Sequence, residues 1–224
     1  MFASFHPFIH SLFIGIIALF PVVNPIGSAF IILPYFAHLD RAEKRKAVNK
    51  ITVYAFFICT VSLFAGHWIL ELFGISVPVI QLAGGIMICK MGWEFLTSDK
   101  QDDNPKGDLR DSVKPSGYRN IEDKLFYPIT FPITTGAGTI SVLFTLSAHS
   151  ASPDAKSYFI NTGAILLSII FMCVLIYIFY MNTKALVDYL GSNGEKIFNR
   201  IISFLIFCVG LQIAITGIKG LFNL

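Results

Sequence analysis

Charge is scarce in this chain. Only 14% of its 224 residues are Asp, Glu, Lys or Arg, against roughly 25% in soluble domains, and 54% are hydrophobic, so a soluble globular fold is excluded and a polytopic membrane protein is expected. No Asp or Glu falls deep inside an apolar run, which leaves no buried carboxylate relay of the kind many proton pumps use. The four cysteines, Cys59, Cys89, Cys173 and Cys208, stand in apolar runs without CxxC spacing. They read as small buried apolar side chains rather than redox or metal groups. His6 and His10 share an i, i+4 spacing but have no Cys or carboxylate nearby to complete a shell, so no metal site is expected. His67 and His149 lie towards the outer ends of apolar runs and read as interfacial. There is no GxxxxGK phosphate loop, and Ser141 and Ser147 lack hydrolase-like surroundings, so no catalytic residue is assigned. No basic stripe interleaved with aromatics suggests nucleic acid. The first residues lack a basic n-region and a small-residue cleavage site, and the first apolar run is expected to be retained as a span.

What is present is a set of long apolar runs. Six spans are expected, over residues 8–37, 47–73, 75–96, 125–147, 158–182 and 201–222, each near the roughly 20 residues a bilayer requires. An amphipathic stretch, 183–199, precedes the last. The chain divides into a first three-span unit, 1–97, a polar loop, 98–124, and a second three-span unit, 125–224. The loops following spans one, three and five hold 14 of the 17 basic residues, which places those loops in the cytoplasm and both termini on the other side. Because each unit has an odd number of spans, the second enters the membrane from the opposite face. The fold expected is all-α, with two inverted three-helix repeats.

Two of the spans are interrupted. In FPVVNPIGSAFIIL, residues 20–33, Pro25 removes a backbone donor in mid-span, while Asn24 suits an N-cap and Pro25 the first helical position. The second unit contains FPITTGAGTISVLF at 131–144. At an offset of 111, Phe20 aligns with Phe131, Pro21 with Pro132, Gly27 with Gly138 and Ser28 with Thr139. Both segments therefore read as pairs of half-helices meeting near mid-membrane, the second restarting near Thr135 and Gly136. Paired interruptions at matching positions point to a transporter's binding site.

Half-helix starts present amides and a positive dipole end, which suit a carboxylate. Gly27, Gly136 and Gly138 would let a ligand approach the backbone, and Asn24, Ser28, Thr134, Thr135 and Thr139 supply neutral polar groups. With Pro25, these nine residues form the candidate substrate site, and their inventory suits a small zwitterion. No cofactor is expected. A coupling ion is left open between a proton, by a route other than buried carboxylates, and sodium, held by carbonyls and hydroxyls. Lys90 stands inside the third span with Glu94 four residues on; it either serves function or snorkels while pairing with Glu94. Gln81, Asn161 and Gln212 either line a cavity or bond neighbouring helices.

The NPIG interruption after a Phe-rich helix, the FPITTGAGT interruption and the LAGGI run at 82–86 together resemble the MarC family of six-span bacterial inner-membrane proteins. The resemblance runs from about residue 8 to residue 220. It implies an inner-membrane location, and some relatives are described as transporters of small neutral amino acids such as glycine and alanine. The family signatures map onto Asn24, Pro25 and Gly27, and onto Gly136 and Gly138. Where many relatives have Pro between the latter glycines, this chain has Ala137, preceded by Thr134 and Thr135 in place of small or apolar residues. The expected function is an alternating-access carrier of small neutral amino acids. The alternatives are an exporter of another small solute and a structural or regulatory membrane protein whose interruptions only permit close packing. The lipid bilayer is the expected partner; oligomeric state is not legible.

Overall fold

A computed structural model describes residues 2–97, 121–150 and 154–222. Most of the polar loop 98–124 therefore lies outside the described residues, as do the side chains of His6, His67 and His149. The described residues are helical, with no strand among them. In chain order they form α1 (Phe2–Val23), α2 (Pro25–Phe36), α3 (Arg41–Leu72), α4 (Val77–Thr97), a wide-wound π segment (Leu125–Thr134), α5 (Ala137–Ser150), α6 (Ala155–Met181) and α7 (Thr183–Phe222).

Local chemistry sets the helix ends. Asp40 accepts from the Glu43 amide at 2.7 Å while the Glu43 carboxylate reaches back to the Asp40 amide at 3.2 Å, a reciprocal cap that starts α3. Past its other end, Gly74 takes a left-handed φ of 63°, which a residue without Cβ adopts at no steric cost. Asp154 caps α6, accepting from the amide and hydroxyl of Ser157; these bonds hold its carboxyl below the usual carboxylate range.

Three packings organise the bundle. α1 and α6 run parallel: Ser11 donates to Asn161 at 3.1 Å, Ser168 donates to the Leu12 carbonyl at 3.0 Å, and Gly15 lies against Ser168 and Ile165. α3 runs parallel to the π segment and α5, through the Lys50–Glu122 ion pair, an edge-to-face Tyr54–Phe126 contact at 5.7 Å, and Gly66 against Phe144 and Ser147. α4 and α7 are antiparallel and close. A Cβ on Gly85 would fall 2.4 Å from the Ala214 amide nitrogen, and one on Gly92 would fall 2.6 Å from that of Phe207. Small residues at such contacts let backbones approach where no hydrophobic force drives helices together. Between these layers lie Leu19, Ile32, Ile51, Ile88, Ile129 and Ile169, all fully buried, while Phe57 and Phe159 project outward at 68% and 72% exposed. Such an apolar exterior suits lipid.

Among the described residues, four stretches are long and apolar enough to cross a membrane: Pro7–Phe36, Arg41–Gly66, Ala155–Met181 and Arg200–Phe222. The bent pair Leu125–Thr134 and Ala137–Ala148 makes a fifth if taken as one span. The remaining expected span, 75–96, is helical over Val77–Thr97 as α4. The amphipathic stretch 183–199 is continuous with the last span in one 40-residue helix, α7. Cys208 departs from expectation: it is exposed on the outside of α7, whereas Cys59 and Cys173 are buried.

Candidate functional site

At the first interruption, Asn24 adopts φ 42° and ψ 61° and caps α2, accepting from the Gly27 amide at 3.0 Å. Pro25 occupies the first helical position, as the sequence predicts. Asn24 closes one backbone ladder and opens the next: its N–H reaches the Phe20 carbonyl, and Ser28 N–H reaches the Asn24 carbonyl, each at 2.9 Å. The Ser28 hydroxyl also donates to the Asn24 carbonyl at 2.8 Å. Glycine at 27 is required by this cap, because a Cβ there would sit 2.2 Å from Asn24 Nδ2. The space at Gly27 thus belongs to Asn24.

The second interruption is built differently. Pro128 and Pro132 supply no amides, and Tyr127 and Phe131 leave helical geometry altogether, at φ −121° and −120°. Threonine hydroxyls reach back five residues to carbonyls in this stretch: Thr130 to Leu125 at 2.6 Å, Thr134 to Ile129 at 2.7 Å and Thr135 to Thr130 at 3.1 Å. Freed backbone groups within a bilayer must be satisfied in some such way. Thr135 is extended at φ −127°, and α5 restarts beyond Gly136 at 62° to the π segment.

The protons of Ser28, Thr134 and Thr135 are therefore directed to backbone carbonyls in this conformation. Thr139 differs. It is 1% exposed, and its hydroxyl has no protein partner. The first intrahelical bond of α5 joins Ile140 N–H to the Gly136 carbonyl, so the amides of Ala137, Gly138 and Thr139 precede the helical ladder. Gly138 is buried between the halves: a Cβ there would lie 3.3 Å from Ile88 and 3.5 Å from Val22. A Cβ on Gly136 would meet only the Pro132 carbonyl, at 3.0 Å, within hard-contact range.

The second interruption has a partner that the sequence did not single out. Tyr180, near the end of α6, is fully buried, and its hydroxyl stands 2.8 Å from Thr134 Oγ1. Asn161 bonds Ser11 across the α1–α6 packing. Lys90 pairs with Glu94 at 3.7 Å on an exposed face, with their side chains 75% and 62% accessible. Among the described residues no group of three or more His, Cys, Asp and Glu converges. A hollow of about 410 Å³ opens on the outside between α3 and α6, lined by Thr52, Phe56, Cys173 and Tyr177 among others, and is separate from the interruptions.

A bundle that is all-helical among the described residues, with an apolar exterior and several buried hydroxyls at its two interruptions, is an integral membrane protein. Residues 9–222 match the model of the MarC family integral membrane proteins, and the chain belongs to that family. Its relatives include the UPF0056 inner membrane proteins MarC of Escherichia coli strain K12 and of Shigella flexneri, each 26% identical over 207 residues, covering 92% of both chains. No solved structure matches the chain.

Proposed function

We propose that this chain is an alternating-access carrier of small neutral amino acids of the glycine and alanine type in the bacterial inner membrane, with both termini on the non-cytoplasmic side. The observation that carries the reading is the Thr139 hydroxyl, enclosed and without a protein partner at the start of α5. Beside it stand the first amides of α5 and the positive end of its dipole, a combination suited to a carboxylate. The first interruption has its Gly27 amide taken by Asn24. The carboxylate accordingly belongs at the second, with Gly138 and Thr139.

The architecture proposed is two inverted three-span repeats, 1–97 and 125–224, joined by the loop 98–124. Its support is a set of contacts that exchange partners under the repeat offset. Ser11–Asn161 maps onto Lys50–Glu122, and Gly15–Ile165 onto Phe126–Tyr54, at the offset of 111. In the third helices, Gly85 against Ala214 maps onto Cys89 against Gly210, and Gly92 against Phe207 onto Leu82 against Gly217, at an offset of 125. Repeats of this kind let two halves rock about one site.

The competing reading, a non-transport protein whose interruptions serve packing, draws on Gly27 and Gly138, both closely surrounded by protein atoms. Counterflow of labelled alanine and glycine into proteoliposomes separates the two. Uptake that is lost in Thr139→Val, with the variant still folded, supports the carrier. A folded protein that moves no neutral amino acid from a broad panel overturns it, and uptake of some other small solute would assign an exporter.

A further inference from the structure

The hollow on the outside of the bundle is not accounted for by the interruptions. At about 410 Å³ it falls within the roughly 300–1,000 Å³ of small-molecule sites. Thr52, Val53 and Phe56 of α3 and Cys173, Val174 and Tyr177 of α6 line it, so its wall is largely apolar. Both helices belong to stretches apolar enough to cross a membrane, and Val53 and Val174 are exposed. The medium that reaches the hollow is therefore hydrocarbon.

Charge marks one of its ends. Lys44 of α3 donates to Thr183 of α7 at 2.8 Å, which brings the first turn of α3 against the residues that follow α6. The next residue along each segment, Arg45 and Lys184, is a cation, and both are exposed. Arg45 lies seven residues before Thr52, two helical turns and about 10 Å along the axis on the same face of α3. Lys184 lies seven residues beyond Tyr177, past the turn at Asn182. Among the described residues neither cation has an ion-pair partner. The carboxylates nearby are occupied: Glu122 pairs with Lys50, and Asp40 and Glu43 form the cap of α3.

A second hollow on the same two helices supplies a contrast. It measures about 200 Å³, with Phe64, Tyr158, Phe159 and Thr162 in its wall. The exposed charged residues just before Tyr158 are Asp154 and Lys156, which are opposite in sign. An apolar wall is common to both hollows, whereas a pair of unpaired cations stands at the first.

We propose that the hollow between α3 and α6 holds an acyl chain of an anionic phospholipid whose phosphate is bound by Arg45 and Lys184. Basic side chains beside a transmembrane helix attract anionic lipids at the membrane surface, while the chain lies deeper against the apolar wall. The Arg45 guanidinium suits two phosphate oxygens at once, and the Lys184 ammonium adds a point charge. Such a lipid joins α3 of the first unit to α6 and α7 of the second.

The test is a titration of the purified full chain in detergent with phosphatidylglycerol or phosphatidylcholine of identical acyl chains, the bound lipid being counted by native mass spectrometry. One phosphatidylglycerol is expected to be retained at concentrations where phosphatidylcholine is not. Arg45→Gln and Lys184→Gln should each weaken its binding about fivefold, the effect of one basic side chain at a membrane surface. Val174→Trp fills the hollow from an exposed position and should weaken binding at least as much with no change of charge. Lys156→Gln, near the second hollow, should leave it unaltered. Melting without added lipid checks that each variant is folded. Equal retention of the two lipids, or binding indifferent to both Arg45→Gln and Lys184→Gln, means annular lipid only and overturns the site. An equal loss in Lys156→Gln overturns it as well, and binding unaffected by Val174→Trp removes the hollow from it.

Discussion

The two interruptions stand at matching places in the two halves, yet they solve the same problem by different means. At Asn24 the chain turns between two helices, and the bonds recorded at the turn all lie within four residues. Around Thr135 the ladder is widened, threonine hydroxyls bond carbonyls five residues back, and the next helix leaves at 62°. The placement of proline accounts for the difference. Pro25 sits at a first helical position, where its missing amide has no ladder partner to lose. Pro132 has its match in Pro21, which also lies inside a helix, but Pro128 stands where the first half has Ile17 and removes a further amide ahead of the second interruption. Matching sequence anomalies therefore yield one self-contained kink and one joint held by side chains.

That contrast is open to direct attack. The largest effect is expected from Gly138→Leu: a whole isobutyl group would have to enter where a Cβ alone lies 3.3 Å from Ile88. Overpacking of this kind costs about 1–3 kcal/mol, and counterflow should fall to background; near-normal transport would remove the second interruption from the site. Asn24→Ala is expected to cost about 1 kcal/mol for the lost cap, read as a lower melting temperature in detergent. Gly27→Ala should disturb the same cap, so the double variant should lose less than the sum of the singles; strict additivity would mean that the cap is not shared. Thr139→Val should separate function from stability. Removing an unpartnered buried hydroxyl leaves stability unchanged or raises it by about 1 kcal/mol, while uptake is lost; a clear fall in melting temperature would reveal a protein partner for that hydroxyl. The smallest effect belongs to Lys50→Met at the partly exposed ion pair, below about 1 kcal/mol. A larger loss would mean that this contact, and by symmetry Ser11–Asn161, anchors the halves.

Much of this was readable from residue order. Asn24 as cap, Pro25 as the first helical residue and a restart at Thr135 and Gly136 are local matters of backbone donors and φ, and the helices begin where those rules place them. The glycine seam also left a signal that went unread: Gly85 and Gly92 in one third helix, and Gly210 and Gly217 in the other, share a seven-residue spacing. Tyr180 left none. It is one tyrosine at the end of an apolar run, 46 residues along the chain from Thr134, and only the tertiary fold brings the two hydroxyls together. The exposure of Cys208 was equally illegible, since an apolar run does not say which of its faces meets lipid.

Composition and order alone determined that this chain lives in a membrane, where its helices break and which residue caps the first break, because each depends on apolar length or on groups within four residues of one another. Only the tertiary structure decided which hydroxyls are already engaged, that Thr139 is left over and that Tyr180 meets Thr134. In an apolar medium every polar group must find a partner, and whether it does depends on what the rest of the fold brings within 3 Å or so.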